Sequence, residues 1–316
     1  MKKIAYLFPG QGAQIVGMGK EWADIYPICR ETIEEADDVL RYHLSQVMFQ
    51  GPQDLLTQTQ YSQLALFVHS MAILRALNQQ IGDIKPFVCA GLSLGEYTAL
   101  CASGRLGFRE TLLLVKERSR LMNEACERTP GAMAAVLGLS AQEVEQAMQG
   151  LEGVWVANYN YPGQTVISGT KEGVERGGQI LKEKGAKRVI PLPVHGAFHS
   201  GLMQPAQEAF APWIAKAQMQ ESPIGFVMNV PGDFVKAVAD VKRLLTVQAT
   251  QSVRWEQGIL AMEAQKIALY LEIGCGKTLS GMNQKIGVHA ATHSIEKPQD
   301  LDALAKMLEG LHSCNC

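Results

Sequence analysis

Residues 88–97 read Val88-Cys89-Ala90-Gly91-Leu92-Ser93-Leu94-Gly95-Glu96-Tyr97, an apolar run that enters G-x-S-x-G and leaves it into an alanine-containing segment. That order predicts strand, sharp turn and helix. A serine on such a turn stands above the sheet edge with its hydroxyl exposed and a helix N-terminus beneath it. Glycines on either side allow a backbone approach that a side chain would block. Ser93 is therefore a candidate nucleophile, although G-x-S-x-G also arises by chance in a chain with 30 glycines.

Working outward, strand-like and helical runs alternate, which predicts an α/β fold. Ile4–Phe8 and Phe87–Ala90 read as strands. Residues 54–78, 94–102 and 108–127 read as helices. From Ala132 the texture changes: strand 132–137, helix 141–149, strands 154–157 and 165–168, helix 171–183, strand 188–192. This βαββαβ succession is the ferredoxin-like pattern, bounded by Pro130-Gly131 and by Pro191-x-Pro193. Helices return over 201–218, with strands at 224–229 and 268–273. The expected organisation is a hydrolase-like core with a parallel sheet, from residues 1–129 and 195–316, carrying an inserted α+β unit at 130–194.

The 316 residues are 47% hydrophobic and 19% charged, with a net charge of −2. Such a balance describes a globular chain and provides no global field for nucleic acid. The apolar start at Ile4 stops at Pro9, too short for a signal peptide, and no run approaches the length of a membrane span. The seven cysteines lack metal-ligand spacing and read as reduced, buried thiols of a cytoplasmic protein, with Cys314-x-Cys316 at a frayed end.

A nucleophilic serine needs a base. His199, in Pro191-Leu-Pro-Val-His195-Gly-Ala-Phe-His199-Ser200, lies where the chain leaves the insertion, so it faces the cleft between the two units; His195 competes for the role. The other five histidines read as structural. No Asp or Glu after a strand between Ser93 and His199 offers itself as the third member of a triad, and a backbone carbonyl can orient the imidazole instead. The turn Phe8-Pro9-Gly10-Gln11-Gly12-Ala13-Gln14 is either a plain strand-to-helix turn or, with the amide of Leu94, a source of oxyanion-hole donors. Arg118, on a helix with an apolar stripe, is either a solvated edge residue or a buried fork for a carboxylate.

Together these stretches resemble the malonyl-CoA:acyl-carrier-protein transacylases, acyltransferases of fatty acid and polyketide synthesis. The likeness runs through FPGQGAQ at 8–14, GLSLGEY at 91–97, KERSRLM at 116–122, GAMAAVLGL at 131–139, NYNYPGQTVISG at 158–169, FHS at 198–200 and EIGCGKTLSGM at 272–282. The resemblance implies Ser93 as acyl acceptor, His199 as its base, and Gln11 and Leu94 as oxyanion-hole amides. It further implies that Arg118 pairs with the malonyl carboxylate and that the Gln248 carbonyl orients the histidine. By the same resemblance Phe198, in the space a 2-methyl branch would need, is expected to favour malonyl, and Asn160 is expected to line the cleft.

Malonyl-CoA is then substrate, with no permanently bound cofactor and no metal. The expected partners are a phosphopantetheinylated acyl carrier protein and a coenzyme A thioester, with neither nucleic acid nor membrane, and the chain is expected to act as a monomer. Lys182, Lys184, Lys187 and Arg188 are candidate docking charges. The rival readings are a carrier-directed acyl hydrolase, disfavoured by Arg118, and a non-catalytic carrier-binding subunit, disfavoured by Ser93, His199 and Arg118 together.

Overall fold

The computed structural model describes residues 3–313 except Asp83 and His195. Eleven strands are assigned among the described residues: β1 (Ile4–Phe8), β2 (Val88–Gly91), β3 (Ala132–Leu137), β4 (Val154–Tyr161), β5 (Gln164–Gly169), β6 (Arg188–Pro191), β7 (Gly225–Met228), β8 (Asp233–Phe234), β9 (Val253–Arg254), β10 (Leu269–Ile273) and β11 (Ala291–Ile295). The larger sheet has the order β11-β10-β1-β2-β7-β8. Its first five strands run parallel, and β8 closes the edge antiparallel to β7.

Both faces of this sheet are covered, which is why β1 is buried at every residue. Tyr6 and Phe8 pack with Leu64, Phe67 and Val68 of the helix Thr59–Ile81 on one face. Ala5 and Leu7 pack with Trp255, Ile259, Leu279 and Met282 on the other. The helix Thr59–Ile81 is apolar nearly all round because it lies in the middle of the molecule.

The smaller sheet has the order β6-β3-β5-β4-β9. Its first four strands pair antiparallel in the ferredoxin-like arrangement, over an apolar core that includes Val136, Val144, Ile167 and Leu181. The fifth strand was not foreseen. β9 comes from the later part of the chain and pairs parallel with β4, Asn158 opposite Val253 and Tyr159 opposite Arg254. β4 also runs on to Tyr161, past the expected end at residue 157, with two irregularities in its register against β5. The helices between residues 20 and 50, and those at Val238–Val247, Trp255–Glu263 and Thr278–Ile286, are further additions to the sequence reading.

Among the described residues no helix is long and apolar enough to cross a membrane, and no group of three His, Cys, Asp or Glu side chains is placed to hold a metal ion. Five cysteines, at 29, 89, 101, 126 and 275, are free and buried. Cys314, Cys316 and His195 lie outside the described residues.

Candidate active site

β1 and β2 are neighbours, with Phe8 opposite Gly91, so the turns that follow them start side by side. The glycines let those turns touch. A Cβ on Gly91 would meet the Gly95 carbonyl at 2.0 Å, one on Gly95 the Phe8 carbonyl oxygen at 2.1 Å, and one on Gly10 the Leu92 oxygen at 2.5 Å. Real Cβ atoms do not approach backbone so closely, so this junction excludes any larger residue. Ser93 sits at the apex with φ +52°, in the left-handed region that costs an L-residue about 1–2 kcal/mol.

Ser93 is held from both sides. Its N–H donates to Asn229 Oδ1 at 2.7 Å, while Asn229 Nδ2 donates to the Gly91 carbonyl at 2.7 Å. Its carbonyl accepts from Gln248 Nε2 at 2.9 Å. His199, also at positive φ (+57°), places Nε2 2.8 Å from Ser93 Oγ. Its Nδ1 faces two carbonyl oxygens, Gln248 at 2.9 Å and Gln251 at 3.1 Å. Carbonyls only accept, so Nδ1 carries the proton and Nε2 is left as the acceptor for the serine hydroxyl. Among the described residues no carboxylate completes a triad. Burial and the nearby Arg118 charge lower His199 from 6.5 to about 4, so the imidazole is neutral at ordinary pH.

Arg118 is only 2% exposed. One of its amino groups reaches Ser93 Oγ at 3.2 Å and Gln248 Oε1 at 2.8 Å, and the other donates to Gln63 Oε1. Its guanidinium also lies 5.1 Å from the centre of the Tyr97 ring. Among the described residues no carboxylate forms an ion pair with it, and its Nε has no partner. Of the two readings of Arg118, the solvated edge residue is excluded by its burial.

The backbone amides of Gln11 and Leu94 have no acceptor among the described residues, whereas the next amide, Gly12, donates to Gln14 Oε1 at 2.8 Å. Phe198 is buried beside His199. Asn160 is buried too, its Nδ2 donating to Gln164 Oε1 at 3.0 Å and its Oδ1 lacking a partner. It makes no hydrogen bond to Ser93, His199, Arg118 or Gln248, because it sits in the β4–β5 hairpin of the small sheet. A cleft of about 470 Å³ opens between Asn123 and Glu127 on one side and Gly131, Lys171 and Val194 on the other.

Four residues of this network escaped the sequence reading: Gln63, Glu96, Asn229 and Gln251. Glu96, three residues after the serine, was quoted within the motif, but nothing local marks it as a buried carboxylate. Asn229 and Gln251 follow short elements far along the chain, and only the sheet order brings them to the elbow.

A serine hydroxyl against a neutral imidazole, amides without acceptors at a strand-to-helix turn and a buried cation are the groups an acyl-transfer site on an α/β scaffold requires. The chain belongs to the acyl transferase domain family, whose model matches residues 5–285. It is similar to the malonyl CoA-acyl carrier protein transacylase of Bacillus subtilis, with 40% identity over 98% of both chains. The transacylase of Escherichia coli K12 is 38% identical over 98% of this chain and all of its own. Among solved structures, a malonyl-transacylase in complex with its type II polyketide-synthase acyl-carrier protein superposes with a TM-score of 0.92, at 34% identity, over 96% of this chain and 99% of that one.

Proposed function

We propose that this enzyme moves a malonyl group from malonyl-CoA to the phosphopantetheine thiol of an acyl carrier protein, through malonyl-Ser93. The observation that carries the reading is Arg118: a buried guanidinium beside the serine hydroxyl, with no ion pair to a carboxylate among the described residues. A buried cation without an anion is costly, and a substrate carboxylate relieves that cost at the moment of binding. The names of the relatives point to the same substrate.

Ser93 Oγ attacks the thioester carbonyl as His199 Nε2 takes its proton. The oxyanion is received by the Gln11 and Leu94 amides. His199 then protonates the departing coenzyme A thiolate, leaving the ester on Ser93. In the second half the carrier thiol gives its proton to His199 and attacks that ester, and the serine recovers its proton. Phe198 beside the base limits branching at the malonyl carbon. The cleft bordered by Asn123, Gly131 and Val194 is the proposed approach for the pantetheine arm.

The chain works as two units, 1–129 with 195–316 and 130–194, the second meeting the carrier. Lys182, Lys184, Lys187 and Arg188 are exposed there and remain the proposed docking charges. They stand at the far end of the helix Lys171–Glu183 from Lys171, the residue that borders the cleft. The use of coenzyme A thioesters supports a cytoplasmic location.

Intact-mass measurement after brief exposure to malonyl-CoA tests the reading. A malonyl adduct on Ser93 that a holo carrier protein removes supports it. Rapid release of free malonate supports a hydrolase instead, and absence of any adduct supports a carrier-binding subunit.

A further inference from the structure

Glu96 is a carboxylate with no solvent exposure, at the start of the helix Gly95–Ala102. Its oxygens see only donors. Oε2 accepts the Asn229 N–H at 2.5 Å, and Oε1 accepts Gln248 Nε2 at 3.0 Å. Burial raises its pKa to about 8 even with these donors and Arg118 acting in the opposite direction. Both hydrogen bonds use lone pairs that the carboxyl keeps in either protonation state, and the ionised form accepts them more strongly.

The geometry of Gln248 is dictated from three sides. Ser93 O and Glu96 can only accept and Arg118 can only donate, so Nε2 faces the first two and Oε1 faces the guanidinium. The amide therefore stands between the Glu96 carboxyl and the guanidinium, which form no direct ion pair among the described contacts. A carboxylate in direct contact with the guanidinium would compete with a substrate carboxylate for the fork; with the amide between them, the fork stays open.

We propose that Glu96 is a positioning residue for this site, acting on Arg118 through the Gln248 side chain. It touches neither substrate nor reacting atom. The proposal rests on the malonyl reading above, in which Arg118 receives the substrate carboxylate.

The discriminating variant is Glu96→Gln. It keeps the shape, but its new NH2 faces at least one of the two donors, so one hydrogen bond fails and Gln248 loses its hold on the guanidinium. Expected is a rise of about tenfold in KM for malonyl-CoA, the size of one hydrogen bond to a charged group. Acylation by acetyl-CoA, which has no carboxylate for Arg118, should change less than about twofold. A purely electrostatic role gives the opposite sign, because removing a negative charge near Arg118 would tighten malonyl binding and lower KM. A lowered or unchanged KM overturns the proposal, as does equal loss with both thioesters.

Gln248→Glu provides the second arm should Glu96→Gln fail to fold. A carboxylate there contacts the arginine directly, so the preference for malonyl over acetyl should fall at least about tenfold; an unchanged preference overturns the proposal. The wild-type arm separates the two readings. If the wild-type protein takes no malonyl group, the proposed function falls. If it does and the variants show no malonyl-specific change, only the role of Glu96 falls.

Discussion

In the sheet of β3–β6 the chain follows local rules. Ser140 caps its helix in a reciprocal capping box with Glu143, Thr170 caps the next through Gly173 N–H, and the core between them is aliphatic. At the serine turn it breaks them. Ser93 and His199 hold positive φ, and Arg118 and Glu96 are charged groups in the interior. The helix after the serine has no side-chain cap, which leaves the amide at its start free for a ligand. Strain and buried charge persist because Asn229, Gln248 and Gln63 brace them from separate elements. Local consistency builds the scaffold, and its local violation marks the chemistry.

The contrast is tested most sharply at the serine. Ser93→Ala should abolish the malonyl adduct and lower transfer roughly ten-thousand-fold. Ser93→Gly should lose activity equally yet unfold at a higher temperature than Ser93→Ala, since glycine removes the left-handed penalty of about 1 kcal/mol. Equal midpoints for the two variants would mean that the turn stores no strain.

Next in size is Arg118→Ala, expected to cut malonyl loading by roughly a hundredfold or more while sparing acetyl. Parallel loss of both in a mass-resolved loading assay would remove its role as a carboxylate clamp. Gly91→Ala follows, with a destabilisation of about 3 kcal/mol because its Cβ meets the Gly95 carbonyl at 2.0 Å. Gly150→Ala, at φ +77° with open space around it, is the control and should cost about 1 kcal/mol in denaturant unfolding.

The pH dependence is subtler. His199 is lowered to about 4, so it stays a competent base down to that pH, and the acid limb of kcat/KM should fall near pH 4. In Arg118→Ala, followed with acetyl-CoA, the limb should move toward 6.5, since the guanidinium is one cause of the shift. An unmoved limb would assign the shift to burial alone. Stability follows the same groups. Between about 6.5 and 4 the unfolded chain binds protons at His199 and His69 that the native chain does not, so their contribution is lost as pH falls through that window. The smallest effect is expected in the small sheet, where Ser140→Ala should cost about 1 kcal/mol through its lost cap and leave turnover unchanged.

Much of this was readable before any fold was known. β3 and the helix Lys171–Glu183 fall at the expected limits because their caps and apolar periods are local. Ser93 was readable because strand, glycine, serine, glycine and helix lie in one short stretch. His199, Arg118 and Gln248 were picked by local context or by resemblance, and they meet although up to 155 positions separate them from Ser93. β9 was missed because a two-residue strand has no period to detect. Glu96 and Asn229 were missed because a buried carboxylate and a bracing amide look like any polar residues until the sheet order places them.

The sequence by itself determined the alternation of strands and helices, the inserted βαββαβ unit and the nucleophile's turn, all of which rest on contacts between near neighbours in the chain. Only the tertiary structure decided that the histidine is oriented by two carbonyls and that Arg118 lies buried with no direct ion pair among the described residues. It also decided that Gln248 separates the arginine from Glu96. Those facts depend on parallel strands bringing distant loops to one edge, where burial turns ordinary polar side chains into a fixed and costly electrostatic arrangement.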